Sequence, residues 1–356
     1  MSLLINYNDP KFIEITKIIF ESHFLKDPKL HSELDDRRKK LMYDDVVYNL
    51  SFLFTAVYFR DQKIFTDYAV WIFKLLCNIM KDFDRTRIMQ MMVDHYAIMS
   101  DSISNQLIGL LSDQEIHLST EYLESAINAT KNAVLYVPES TDFDKGSYAQ
   151  LRDNYLESLL LNNTRDAYAI INEAYKSGVP IIDIYEEVLT YVMHEIGELW
   201  HKNIISVDKE HFATSVTQTV MGQFYDDIFS QPRKQKTLVA CAIGSELHEI
   251  GIRMLSDMFE FHGWDSYYLG AALPTESILK SIDEHKPNLI ALSVTMPPYL
   301  KVCETIVMEI RNKYPEVKIA VGGQAFLRTD SLWEKMNIDF YSPSAIELVK
   351  WTEKNI

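Results

Sequence analysis

The run Glu246-Leu247-His248-Glu249-Ile250-Gly251 places a carboxylate two residues before an imidazole and a glycine three residues after it. A neutral imidazole is a good transition-metal ligand, and a carboxylate bonded to its second ring nitrogen fixes the tautomer and raises basicity. The glycine would let the backbone approach a bulky group. Two further elements follow at defined spacing. Ser293-Val294-Thr295 comes with 41 residues between Gly251 and Ser293, and Gly322-Gly323 with 26 residues between Thr295 and Gly322. A third constellation stands upstream, with Trp200-His201, Val207 and Glu210-His211 within twelve residues. Taken one at a time, each of these residues has a plainer reading: a solvated loop histidine, a core tryptophan, a helix's first turn.

Positioning these groups falls to elements whose period changes along the chain. Beyond Pro232 the runs 236–243, 288–294 and 318–321 are short and apolar, and amphipathic stretches at 275–285 and 299–314 separate them. Strands alternating with helices predict a right-handed, doubly wound parallel sheet. His248 then lies in the loop after a first strand, Ser293 at the end of a third and the glycine pair at the end of a fourth. All three converge on the carboxyl edge, where such sheets bind ligands. The competing expectation is an ordinary flavodoxin-like domain that binds nothing of this kind.

The upstream sequence reads as helical. Residues 65–80 and 87–111 carry apolar side chains at three and four spacing without strand alternation. The expected organisation is an all-α domain at 1–137, a polar linker at 138–146 around Pro138-Glu139-Ser140-Thr141-Asp142, a four-helix bundle at 147–231 and the parallel-sheet domain at 232–356. The fold class is therefore α plus α/β. No internal repeat or low-complexity segment interrupts it.

A formal charge of −16 speaks against a nucleic-acid surface, and the basic run 37–40 follows Asp35-Asp36 as a solvated helix face would. Cys77, Cys241 and Cys303 have no metal spacing and sit in apolar segments, as buried thiols of a reducing cytosol do. Neither a signal peptide nor an apolar span of ~20 residues is present, so a cytoplasmic location without membrane insertion is expected.

Glu246-x-His248-x-x-Gly251, Ser293-x-Thr295 and Gly322-Gly323 together resemble the cobalamin-binding signature of the base-off/His-on type. The resemblance implies that His248 binds cobalt from the lower face, with Glu246 on its second nitrogen and Gly251 near the macrocycle. The dimethylbenzimidazole tail would thread beside Ser293 and the pair Gly322 and Gly323. Two positions depart from the pattern: the first is usually Asp and here is Glu246, and the third strand usually ends Ser-x-Leu but here ends in Thr295.

Trp200-x9-Glu210-His211, with Val207 between, resembles the corresponding element of CarH-like photoreceptors, whose bundle caps the upper face of adenosylcobalamin. By that resemblance Trp200 packs against the adenosyl group, while Glu210, His211 and Val207 line the same pocket. Light breaks the cobalt–carbon bond, and His201 takes the place of the second histidine that then ligates cobalt from above. The resemblance covers roughly 145–356. Where the repressors carry a basic helix-turn-helix, this chain has an acidic helical region instead, so no direct DNA binding is expected. A globin-like sensor fold suits its length and helicity, and photocobilins, which pair a biliverdin-carrying domain with a photosensitive cobalamin domain, have the nearest architecture. Candidate bilin or haem residues there are His95, His23, His117 and Cys77, with Trp71, Phe73 and Tyr96 as either pocket lining or core.

The expected function is a light sensor and not an enzyme: adenosylcobalamin is held between His248 and Trp200, and its photolysis changes domain or subunit packing. Its expected partners are cobalamin, other copies of the chain in a light-dependent homo-oligomer, and an unidentified downstream protein. The alternative is a corrinoid methyl-carrier protein of a methyltransferase system. An adenosylcobalamin mutase would need a (β/α)8 barrel that this chain lacks, and a bare binding module would keep one assembly in light and dark.

Overall fold

A computed structural model describes residues 9–135, 142–245 and 247–356. The chain divides into two compact units. The first is built on helices α1 (Pro10–Lys26), α2 (Leu30–Glu33), α3 (Asp36–Phe59), α4 (Gln62–Ile79), α5 (Arg85–Gln106) and α6 (Asp113–Ala133). It also takes in Val294–Glu304 and Gln324–Leu332. Side-chain caps set where these helices begin. Asp9, Asp35, Asp61 and Asp84 each accept a backbone N–H of the first turn, and Ser112 with Glu115 forms a reciprocal capping box. The interior is apolar and aromatic, with Leu50, Leu53, Phe65, Phe73, Tyr96 and Met99 fully buried. Helix α5 stops at Gln106, short of the predicted 111, and Leu107 and Leu111 turn back into the core.

In the second unit one core is helical and another lies on one face of the sheet. Helices α7 (Ala149–Leu160), α8 (Thr164–Lys176), α9 (Ile181–Asp183), α10 (Thr190–His201), α11 (Val207–Met221) and α12 (Tyr225–Phe229) surround the first, which includes Tyr155, Ile171, Tyr185, Val188, Val192, Ile196, Val216 and Phe224. Between α9 and α10 the helix runs on through one π-helical stretch, Ile184–Leu189, a feature often found near functional sites.

The second core belongs to the sheet. Strands β1 (Thr237–Ala242), β2 (Asp265–Tyr268), β3 (Leu289–Ser293), β4 (Lys318–Gly322) and β5 (Phe340–Tyr341) are all parallel, in the order β2-β1-β3-β4-β5. Along the chain, helices α13 (Ile250–Phe261), α14 (Thr275–His285), α15 (Leu300–Lys313), α16 (Gln324–Leu327), α17 (Leu332–Lys335) and α18 (Ala345–Asn355) connect and follow them, with α16 and the first turn of α15 belonging to the first unit. β1, β3 and β4 are the predicted apolar runs, within a residue or two at each end. β2 and β5 have no such run: β2 reads Asp-Ser-Tyr-Tyr and is half-buried at one edge of the sheet, and β5 is two residues long. No described helix is long and apolar enough to cross a membrane.

Candidate functional site

Parallel pairing brings the spaced elements together. Ala242, the last residue of β1, pairs with Ser293, and Ser293 pairs with Gly322. The strand leading to His248, the strand ending in Ser293 and the strand ending in the glycine pair are therefore neighbours, with the change of winding direction lying between β1 and β3. Ile243 N–H donates to Ser293 O at 2.9 Å and stitches the first two together just past the strand ends. His248 is exposed in the β1–α13 loop, while Ser293 and Thr295 are half-buried.

The glycines differ in what they do. Gly251 is the second residue of α13, and a Cβ built there meets nothing within 4 Å. Packing within the chain does not call for a glycine at that position, whereas a bulky group lying over the loop would. A Cβ on Gly322 would stand 3.3 Å from Ser342 O, and Gly323 has φ +92°, a conformation that favours glycine. These features fit a bulky cofactor lying over the strand ends: a solvent-exposed imidazole, a bare backbone next to it, and a glycine pair at the adjoining strand ends. Glu246 lies outside the described residues.

Sequence reasoning overlooked how the His248 loop is fastened. Ala272 N–H donates to Gly244 O at 3.0 Å, and Tyr268 Oη donates to Glu249 Oε2 at 2.8 Å. Burial, reinforced by the Glu249 contact, holds the Tyr268 hydroxyl well above its ordinary pKa, so it remains a donor.

Trp200 and His201 close α10, and Val207 opens α11, whose first two turns carry Glu210 and His211. The reversal of the chain across 202–206 thus sets all five residues at one end of this helix pair. His201 is buried at 9% exposure and Val207 is 52% exposed. Glu210 is shared: Oε1 accepts from Thr214 Oγ1 at 3.0 Å, and Oε2 lies 3.5 Å from His211 Nε2.

Helix α13 joins the two cores. Met254 and Met258 belong to the helical core, and Ile250, two residues from His248, packs against it. On the same helix Glu249, Arg253 and Asp257 recur at a spacing of four, so they share a face. Each meets a tyrosine: Glu249 meets Tyr268, Arg253 Nη2 donates to the Tyr225 hydroxyl at 3.0 Å, and the Tyr185 hydroxyl donates to Asp257 Oδ2 at 2.9 Å. Burial pushes the Asp257 carboxyl up to about 6, against the opposing pull of the Tyr185 hydrogen bond and Arg253. From sequence this charged stripe looks like a solvated face.

Among the candidates in the N-terminal unit, His23 and His95 are brought together. The His23 Nδ1 lies 2.8 Å from Ile19 O, which can only accept, so Nδ1 carries the proton. In the neutral pair His23 Nε2 is then an acceptor for His95 Nδ1–H at 2.9 Å. This leaves a lone pair on His95 Nε2, an atom shielded from solvent and without a hydrogen-bond partner among the described residues. Burial lowers the His95 pKa to about 3, which keeps the pair neutral. His117 is exposed. Cys77 is free, and burial raises its thiol pKa. Phe73 and Tyr96 are fully buried core residues, and Tyr68 stacks on Trp71 at 6.4 Å between centroids.

Two family models match the chain. Residues 236–349 match a B12 binding domain, and residues 151–225 match a second B12 binding domain model. The cofactor these matches indicate is a corrinoid. Trimethylamine corrinoid protein 1 of Methanosarcina acetivorans is 24% identical over 188 residues, covering 51% of this chain and 86% of its own length. HTH-type transcriptional repressor CarH of Myxococcus xanthus is 22% identical over 168 residues, covering 46% of this chain and 55% of its own. The solved structure of the Methanosarcina barkeri monomethylamine corrinoid protein aligns with a TM-score of 0.53 and 17% identity, over 59% of this chain and 100% of that one. This likeness is one of fold.

Proposed function

We propose that this chain is a cytoplasmic light sensor that holds adenosylcobalamin base-off, with His248 below the cobalt and the α10–α11 end above it. One observation carries the reading. Trp200-His201 and Val207-Glu210-His211 sit together at one end of a helix pair, within a subdomain whose core packs on Ile250, two residues from His248. When bound, the adenosylated cofactor supplies a light-labile cobalt–carbon bond. The chain's own residues do the rest. His248 offers its ring nitrogen, Gly251 clears the approach, and Ser293, Gly322 and Gly323 stand at the strand ends where the nucleotide tail would lie, with Thr295 two residues on from Ser293. Trp200 offers an aromatic face to the adenosyl group, and His201 is the nearest imidazole in sequence that could replace it.

On this reading the chain acts as a switch and not as a catalyst, and the helical subdomain is the four-helix-bundle cap. Loss of the adenosyl contacts biases two packings of the cap, read out as a change of self-association or of contact with a downstream protein. The globin-like N-terminal unit would carry biliverdin as a second chromophore, with the unpartnered His95 Nε2 facing its pyrrole N–H donors. The test is an absorption spectrum of the chain reconstituted in the dark with adenosylcobalamin, taken before and after green light, with size-exclusion chromatography on both samples. A light-driven spectral shift that changes in His201→Ala, together with altered elution, supports the sensor. An added far-red band after biliverdin assigns the N-terminal unit.

A second reading has its own support in the trimethylamine and dimethylamine corrinoid proteins among the relatives: the chain would be a corrinoid methyl carrier serving a methyltransferase. A methyl group that transfers from the bound corrinoid to a thiol or pterin acceptor, with elution the same in light and dark, decides for the carrier.

A further inference from the structure

The loop that carries His248 is fastened on both sides of that residue by the end of β2 and the segment that follows it. Four residues before it, Gly244 O accepts the Ala272 N–H at 3.0 Å. One residue after it, the Glu249 carboxylate accepts the Tyr268 hydroxyl at 2.8 Å. Between these points Leu247 and His248 are exposed. Glu249 occupies the N-cap position of α13 but does not use its side chain to cap the helix, so its carboxylate is directed across to the neighbouring strand. Gly270, at φ +83°, brings the β2 segment close underneath: a Cβ there would lie 3.8 Å from Glu249 Oε2. The same segment is pinned to β1, through Leu269 N–H to Ala240 O at 2.9 Å and Gly270 O to Ala242 N–H at 3.0 Å. The brace is thus tied to the sheet, and the loop that carries His248 is fixed at two points.

We propose that Tyr268 and Glu249 are positioning residues for the corrinoid's lower ligand, and that their hydrogen bond sets how completely His248 engages the metal; the proposal rests on the corrinoid reading above. A ligand on a loose loop must have its backbone ordered at the moment of binding, which costs conformational entropy. A loop ordered during folding has already met that cost, and its ligand binds correspondingly more tightly. Tyr268 does not need to touch the cofactor to have this effect. Its neighbour Tyr267 points to the other face of β2, where it stacks on His285 at 3.7 Å between centroids, and has no share in the brace.

The test uses the full chain loaded with cob(II)inamide, a corrinoid without the nucleotide base, so any nitrogen bound to the cobalt from below must come from the protein. Electron paramagnetic resonance of the wild type is expected to show each cobalt line split in three by one nitrogen, and His248→Ala to lose the splitting. In Tyr268→Phe and Glu249→Ala the ratio of nitrogen-ligated to unligated cobalt falls roughly tenfold, as loss of one hydrogen bond to a charged group would give. Glu249→Gln, whose amide oxygen still accepts, stays within about twofold of the wild type. Tyr267→Phe is indistinguishable from wild type. The proposal is overturned if Tyr268→Phe and Glu249→Ala keep the wild-type ratio, even where they bind less corrinoid in total. Absence of splitting in the wild type would instead sink the reading of His248 as the lower ligand, on which the proposal rests.

Discussion

Replacing Asp257 by Asn tests the joint between the helical core and α13. The carboxyl is mostly buried, accepts the Tyr185 hydroxyl at 2.9 Å, and is pushed from 3.8 up to about 6, chiefly by desolvation. The folded chain therefore holds this proton more tightly than the unfolded chain does. Stability from this group is complete below the ordinary carboxylate value and is lost as pH rises through the window from 3.8 to about 6. At about 1.36 kcal/mol per tenfold in proton affinity the loss is at most ~3 kcal/mol, and partial exposure to solvent reduces it to roughly 1–2 kcal/mol. Asn is neutral at every pH, and its amide oxygen still accepts from Tyr185. Asp257→Asn is therefore expected to be more stable than wild type by about 1–2 kcal/mol at pH 7.5, with the gain shrinking toward zero at pH 4. Urea titrations at the two pH values measure this. A variant less stable at pH 7.5, or a gain that does not depend on pH, refutes the reasoning.

Gly251→Ala should leave urea stability unchanged or raise it by up to about 1 kcal/mol, because alanine favours the helix and the new Cβ meets nothing; equilibrium titration should nonetheless show corrinoid affinity falling at least roughly tenfold. Gly323→Ala carries the opposite signature. Its φ of +92° strains any other residue by about 1–3 kcal/mol, so urea stability falls along with affinity. On the sensor reading, His201→Ala retains dark-state adenosylcobalamin binding but gives an illuminated absorption spectrum different from the wild type. His95→Phe removes the buried Nε2 lone pair and is expected to abolish any far-red band gained with biliverdin, leaving the corrinoid spectrum as it was.

What could be read from the sequence follows from which signals are local. β1, β3 and β4 announce themselves because a strand covered on both faces must be a continuous apolar run, and the loop positions of His248, Ser293 and Gly322-Gly323 follow once the strands are parallel. β2 is hidden because an edge strand reading Asp-Ser-Tyr-Tyr has no such run. Tyr268 therefore could not be placed beside Glu249. The stripe Glu249, Arg253, Asp257 has the spacing of an exposed helix face, and only the arrival of Tyr268, Tyr225 and Tyr185 from three other elements makes it an internal joint. The π-helical stretch 184–189 leaves no trace in composition, since one added residue in a turn only shifts the phase of the apolar spacing, a shift too short to separate from an ordinary helix. Likewise His23 and His95 are 72 positions apart, and only the packing of α1 on α5 turns two lone histidines into a hydrogen-bonded pair.

The α13 joint also separates the two functional readings, because a switch needs an interface weak enough to have two states. Allosteric couplings run at about 1–3 kcal/mol, and the penalty carried by the half-desolvated Asp257 is of that size. The helix that ends in Trp200 and His201 begins in the π-helical stretch anchored to Asp257 through Tyr185. Any displacement of the cap end that draws on this helix is opposed by the Tyr185 contact, with Tyr225 and Arg253 as its neighbours. If the chain is a sensor, strengthening the joint with Asp257→Asn biases it toward the state in which the cap is docked. The light-driven change in elution then shrinks or reverses faster in the dark, while dark-state corrinoid binding holds. A carrier must instead expose its cobalt to a partner on each cycle. There the same variant slows methyl transfer in both directions, and elution is the same in light and dark. A variant that changes neither elution nor transfer would mean that the cap does not move along this helix, and the two-state argument would fail for both readings.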